Sequence, residues 1–182
     1  MWENRVGLNA HAFQQKITQI NQVIKMKIEY RKGDLFQTEI KTIVHGCNAQ
    51  GVMGSGVAKI IRDKYPKAYD RYVAEYKIYN HLKLGHVIPV PCGDRINDPD
   101  NFKIIVNAIT QDFYGRDGLR YVSYDAIAES MNTINKFFEV YGISDIAMPQ
   151  IGAGLGGGDW KVIEAIIESE LKNVKPVVYI LE

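Results

Sequence analysis

An α/β fold with a mixed, mostly parallel sheet between helical layers is predicted by three observations. Short β-branched runs alternate with amphipathic helical patterns from Met26 onward. Gly, Pro or Asp bounds most of these runs. A length of 182 residues, with 46% hydrophobic and 24% charged residues, suits one globular domain with a sizeable core.

Residues 1–25 differ from the rest. Ile17, Ile20 and Ile24 form one weak helical stripe with few other core candidates. This segment is expected to be an appendage: an extra helix, an upstream in-frame extension or an expression-tag remnant. The domain proper is expected over 26–182. Its strands are expected at Lys27–Arg31, Thr42–His45, His86–Val90, Lys103–Ile109, Asp145–Pro149 and Val177–Leu181. Val57, Ile60, Ile61 and Tyr65 share one face of a first helix. Pro66 suits the first turn of a second, with Tyr69, Tyr72, Val73 and Tyr76 on one side. The strongest periodicity is Tyr124, Ile127, Ala128, Met131, Ile134, Asn135 and Phe138, a long helix ending near Gly142. A last helix runs from about Asp159 to Leu171, with Trp160, Ile163, Ile166, Ile167 and Leu171 inward.

Composition narrows the function. A formal net charge of +1 gives no broad electrostatic footprint for nucleic acid, so a nucleotide-like partner has to be held locally. Cys47 and Cys92 have neither metal-ligand spacing nor a disulfide framework, which fits a reducing, cytoplasmic setting. No apolar run reaches membrane-spanning length. No metal and no cofactor are expected.

Two glycine-rich stretches fall at strand-to-helix turns, where ligands of open α/β sheets bind. They are "HGCNAQGVMGSGVAK" (45–59) and "PQIGAGLGGGDW" (149–160). Glycine lets bare backbone approach a ligand, and unpaired N–H groups at a helix start attract anions. Facing each other, two such turns could grip a diphosphate without Lys or Arg. Tight turns and close helix–sheet packing would use the same glycines. Neither stretch is a P-loop or a dinucleotide fingerprint, which argues against a P-loop ATPase, kinase or standard NAD dehydrogenase.

The "KGDLFQTEIKTIVHGCNAQGVMGSGVA" segment, with "MPQIGAGLGGGDW" downstream, resembles the macro domain, a three-layer α/β/α sandwich whose members bind ADP-ribose and its derivatives. The wording "HGCNAQG", "ITQDFYG" and "GAGLGGGDW" is most similar to the branch containing ADP-ribose 1″-phosphate phosphatases, the human terminal ADP-ribose hydrolase and the antitoxin that reverses DNA ADP-ribosylation. Carried over residue by residue, the resemblance gives Asp34 a bond from the adenine amino group and Leu35 a backbone contact to the ring. Asp34 alone reads first as a turn cap after Gly33; only its place in the pattern raises the adenine role. The resemblance points Asn48 at the distal ribose and lays Gly54, Ser55, Gly56 and Val57 along the diphosphate; Ser55 also reads as a helix N-cap. Gly152, Ala153, Gly154, Leu155 and Gly156 would close the other side. Tyr179 or Ile180 would line the adenine pocket, unless the final strand simply buries them.

For proton transfer the candidates are His45, Asn48, Gln111, Asp112 and Asp159. His45 ends its strand and its side-chain type titrates near neutrality, although a histidine at a strand end is more often a hydrogen-bonded structural residue. Asp159 precedes a helix and reads as an N-cap or as a catalytic acid or base. His11, His81 and His86 have no partner legible in the sequence. The resembling hydrolase and antitoxin carry Lys where this chain has Gln111, and the hydrolase carries Asp where this chain has Gly156. Without that Lys, a covalent lysyl intermediate has no nucleophile. The expectation is therefore a monomeric phosphatase acting on ADP-ribose 1″-phosphate. The alternatives are an ADP-ribosyl hydrolase that lacks a catalytic Lys and a non-catalytic ADP-ribose reader.

Overall fold

A computed structural model describes residues 26–181; the expected appendage, 1–25, lies outside them. In chain order the elements are β1 (Glu29–Lys32), a 3-10 turn (Leu35–Gln37), β2 (Thr42–Asn48), α1 (Gly56–Lys64) and α2 (Pro66–Tyr79). Then come β3 (Val87–Cys92), β4 (Lys103–Gln111), α3 (Tyr124–Val140), β5 (Asp145–Met148), α4 (Trp160–Glu170) and β6 (Lys175–Ile180). The strands form one sheet in the order β1-β6-β5-β2-β4-β3. All neighbours are parallel except β3 and β4.

Alternation along the central strands builds three layers, because successive side chains leave a strand on opposite faces. Ile43 and Cys47 of β2 and Ile105 and Ile109 of β4 join Ile61, Ala68 and Tyr72 in the core beneath α1 and α2. Val44, Val106 and Ala108 point the other way, joining Ile127, Met131, Phe138, Ile163 and Ile167 beneath α3 and α4. The helix ends follow ordinary capping chemistry. Ser123 accepts from the Ala126 N–H at the start of α3, and Gly142, just beyond its end, takes φ +67°.

All six strand expectations shift at one end or both. β2 continues past His45 to Asn48, β4 past Ile109 to Gln111, and β3 lies at Val87–Cys92 rather than His86–Val90. β1 lies at Glu29–Lys32 rather than Lys27–Arg31, β5 stops at Met148 before Pro149, and β6 lies at Lys175–Ile180 rather than Val177–Leu181. Among the described residues no helix is long and apolar enough to cross a membrane.

Candidate functional site

At the carboxyl ends of β2, β4 and β5 lies a cavity of about 730 Å³, bordered by both glycine-rich turns. That volume falls within the range of small-molecule sites. The first turn contributes Gly54, Ser55, Gly56 and Val57; the second contributes Gly152, Ala153, Gly154, Leu155 and Gly156. They face each other closely: a methyl on Gly56 would come within 3.9 Å of Leu155 Cδ1. Gly56 also holds φ +57°, a conformation most side chains resist.

Both turns present unpaired donors. In α1 the Lys59 N–H bonds back to the Ser55 carbonyl, so the N–H groups of Gly56, Val57 and Ala58 precede the first helical bond. Ser55 stands at the N-cap but makes no side-chain capping bond. In the second turn the N–H groups of Ala153, Gly157 and Gly158 bond to backbone carbonyls, whereas those of Gly152, Gly154, Leu155 and Gly156 have no backbone acceptor. Among the described residues no carboxylate and no lysine borders the cavity, so none of them repels an anion laid between the turns.

Asn48 sits where a register shift ends the β2–β4 ladder. Its Nδ2 donates to the Val52 carbonyl at 2.6 Å, and its Oδ1 accepts from the Gln50 and Val52 N–H groups at 2.9 and 3.3 Å. The amide therefore closes the loop on itself beside the cavity. Gln111, opposite Asn48 in the ladder, borders the cavity and donates to the Phe113 carbonyl at 2.9 Å.

His45 borders the cavity but is only 1% exposed. Its Nε2 lies 2.7 Å from Asn107 Oδ1, while Asn107 Nδ2 donates to the Ala68 carbonyl of α2 at 3.0 Å. Because the Asn107 amide group is spent on Ala68, its Oδ1 is the acceptor and His45 Nε2 carries the proton. Burial lowers the His45 pKa from the ordinary 6.5 to about 4, so the ring stays neutral around pH 7. Cys47, 2% exposed, is no nucleophile there: burial pushes its thiol up, away from thiolate.

Six predicted residues, Asp34, Leu35, Asp112, Asp159, Tyr179 and Ile180, lie outside this cavity's lining. Asp159 is the N-cap of α4, accepting from the Lys161 N–H at 2.8 Å. Asp34 caps the 3-10 turn, accepting from the Phe36 N–H at 2.9 Å, and the Leu35 side chain is buried. Tyr179 is also elsewhere, with its hydroxyl donating to Thr38 Oγ1 at 2.9 Å.

Sequence reasoning gave no site role to the segment beyond Asp112. An isolated bridge pairs Gln111 with Val122, and the Tyr121 and Val122 N–H groups both donate to the Gly156 carbonyl, at 2.9 and 3.0 Å. The intervening loop is thus strapped to the second glycine turn. It brings Tyr114, Gly115 and Arg116 to the cavity rim, so the site does include a cation. The histidines without a legible partner also find acids: His81 Nε2 lies 2.6 Å from Asp112 Oδ1, and His86 Nε2 lies 3.0 Å from Glu75 Oε2. His11 lies outside the described residues. Among the described residues no group of three His, Cys, Asp or Glu side chains is arranged to hold a metal ion.

The "Macro domain" family model matches residues 44–167, which include both glycine turns. The chain is 32% identical over 156 residues to a 17.5 kDa protein of Enterobacteria phage T4, spanning 84% of this chain and 96% of that protein. It is 29% identical over 164 residues to an ADP-ribose 1″-phosphate phosphatase of Scheffersomyces stipitis, spanning 78% of this chain and 93% of that one. The fold superposes on the macrodomain of Mycobacterium tuberculosis DarG with a TM-score of 0.69 and 25% identity, covering 84% of this chain and 96% of that one. With the three-layer sandwich and its pair of opposed glycine turns, these similarities settle the family: the chain belongs to the macro domains.

Proposed function

We propose that the protein binds ADP-ribose along this cleft and hydrolyses ADP-ribose 1″-phosphate to ADP-ribose and phosphate. The observation that carries the proposal is the facing pair of glycine turns, with unpaired N–H groups and no bordering carboxylate. Such neutral donors suit a diphosphate in a protein of net charge +1. The similarity to a yeast protein named for this phosphatase activity adds to it.

The strand order β1-β6-β5-β2-β4 supports a direction for the ligand. Asp34 and Leu35, after β1, would take the adenine. The two turns, after β2 and β5, would take the diphosphate. Asn48 and Gln111, at the ends of β2 and β4, would face the distal ribose. A carboxylate at the adenine end would accept from the exocyclic amino group and disfavour the carbonyl of guanine.

The chemistry follows from what borders the distal end. Gln111 is a neutral amide, Cys47 is a buried thiol and no lysine is present, so the nucleophile is water. Water attacks phosphorus as the bond to the anomeric oxygen breaks, and the departing oxygen ends protonated. The donors of the second turn would hold the equatorial oxygens as charge develops on them. With His45 buried and neutral, the phosphate group itself takes the water's proton and passes it to the departing anomeric oxygen; its second pKa, about 6, makes the dianion basic enough near neutrality. In this reading His45 holds β2 to β4 and α2, and Asp159 caps α4. Two free, buried cysteines support a reducing cytoplasmic setting, and we propose that the protein works as a monomer.

The test is incubation with ADP-ribose 1″-phosphate and with ADP-ribosylated protein and DNA. Phosphate and ADP-ribose release are followed, together with calorimetry of ADP-ribose binding. Phosphate release from the first substrate alone is expected. ADP-ribose release from the conjugates would reassign the protein as a hydrolase. Binding without turnover on any substrate would make it a reader.

A further inference from the structure

We infer that Arg116 is the specificity-determining residue that makes this site prefer a ligand ending in a phosphate monoester over ADP-ribose itself. The inference rests on the proposed ADP-ribose reading and adds to it the group that recognises the end of the substrate.

Among the described residues Arg116 is the one Lys or Arg bordering the cavity. It is exposed, and among the described residues no ion pair or hydrogen bond engages its guanidinium. Its neighbours are occupied. Arg120 lies over the Tyr124 ring, with Cζ 4.8 Å from the centroid. The Asp117 carboxylate accepts from the Leu119 N–H at 3.1 Å and the Tyr121 hydroxyl at 2.7 Å. Asp117 is therefore held in shaping the loop, and among the described residues it makes no ion pair with the arginine beside it.

The loop is also built to hold its position. Any side chain at Gly115 would collide with the Tyr121 ring, so the glycine lets the backbone pass beneath that ring immediately before Arg116. The Gln111–Val122 bridge closes the base of the loop, and the double bond to the Gly156 carbonyl ties it to the second glycine turn. The cation is thus carried by the structure that presents the phosphate-facing N–H groups.

Position along the ligand decides which phosphate it meets. The loop leaves β4, whereas the adenine end lies by β1, four strands away in the order β1-β6-β5-β2-β4. ADP-ribose and its 1″-phosphate share the diphosphate and differ only at this distal end. Neutral backbone donors would serve the shared part. A terminal dianion is the part that gains most from a guanidinium, whose fork matches phosphate oxygens two at a time.

Wild type, Arg116→Ala and Arg116→Lys are compared in the full chain, using ADP-ribose and ADP-ribose 1″-phosphate as ligands. KM is measured where the 1″-phosphate is turned over, and calorimetric Kd where it only binds. Arg116→Ala should raise the 1″-phosphate constant about 10- to 100-fold, the usual weight of a charge-assisted bond. The ADP-ribose Kd should change by no more than about twofold, as for a surface substitution away from the contact. Lys should recover part of the loss, and the wild-type preference should shrink as salt is raised. An unchanged 1″-phosphate constant, or an equal loss for both ligands, would overturn the inference and leave the ADP-ribose reading intact. Wild type that binds neither ligand would instead remove that reading and the inference with it.

Discussion

The Tyr72 hydroxyl, reaching up from α2, lies 2.9 Å from Asn48 Oδ1 and 2.7 Å from the Asn48 main-chain oxygen. Tyr72 is fully buried, and burial holds its phenol protonated, so it acts as donor. The core beneath α1 and α2 therefore fixes the Asn48 amide beside the cavity, the group proposed to face the distal ribose. Tyr72→Phe keeps the ring and removes only that donor. It should cost about 1 kcal/mol of stability in urea unfolding. It should lower turnover by about tenfold, because a small displacement of a positioning group is costly in rate. Turnover equal to wild type would mean that Asn48 needs no orienting from below.

His45 predicts a pH dependence of folding. Its folded-state pKa is about 4, against about 6.5 when unfolded, so the unfolded chain takes up a proton that the folded chain refuses. The His45 contribution is fully present above about pH 6.5 and is lost progressively as pH falls toward 4, by about 3 kcal/mol in total. His45→Gln can still donate toward Asn107 and cannot titrate. Unfolding free energies of the variant should therefore be flatter between these limits. A slope equal to that of wild type would take His45 out of the acid sensitivity.

These two residues mark where sequence legibility ends. Thr42–Val44 announces a strand by its β-branched side chains, and the α3 stripe announces a helix by its period. The run on to Asn48 carries no such signal, because it passes through Gly46. That glycine is set by packing: a Cβ there would lie 2.7 Å from Thr110 Oγ1 and 3.1 Å from Ile151 Cγ1. The glycine turns were readable because their composition is unusual. The turn of His45 toward Asn107, and the reversal of β3 against β4, depend on pairings between distant segments. The loop carrying Arg116 has no periodicity, and its path depends on a bond to Gly156. Only the folded chain brings it to the rim.

Asp34 supports a paired comparison. Its carboxylate caps the 3-10 turn through the Phe36 N–H, and the proposed adenine contact would use the remaining oxygen. Asp34→Ala should lose both, costing about 1 kcal/mol of stability and about tenfold in ADP-ribose affinity. Asp34→Asn keeps a carbonyl oxygen for the cap, so affinity should fall with little change in stability. ADP-ribose calorimetry with unchanged affinity in both variants would remove the adenine role.

Thr110 is fully buried on β4, and its hydroxyl has no hydrogen-bond partner among the described residues. Thr110→Val keeps the shape and removes the polar atom. It should stabilise the fold by about 1 kcal/mol, the desolvation cost being relieved. A loss of that size in thermal or urea unfolding would instead reveal a partner for the hydroxyl, such as a buried water.

The two glycine turns should respond differently to a single methyl. Gly56 and Gly152 both hold positive φ, +57° and +75°. Alanine at either position therefore carries a backbone strain of about 1–2 kcal/mol. At Gly56 the methyl meets nothing closer than Leu155 Cδ1 at 3.9 Å. At Gly152 it would lie 2.8 Å from Val122 Cγ2 and 3.2 Å from the Ile127 and Ile163 side chains, at the top of the core beneath α3 and α4. Overpacking there should add about 1–3 kcal/mol. Gly152→Ala should therefore be the less stable protein in urea unfolding. Gly56→Ala should stay folded and lose ADP-ribose affinity, because its methyl narrows the cleft and its strain turns the first donors of α1 away from the ligand. Unimpaired binding by Gly56→Ala would mean that the α1 turn does not hold the diphosphate, leaving that task to Gly152–Gly156 alone.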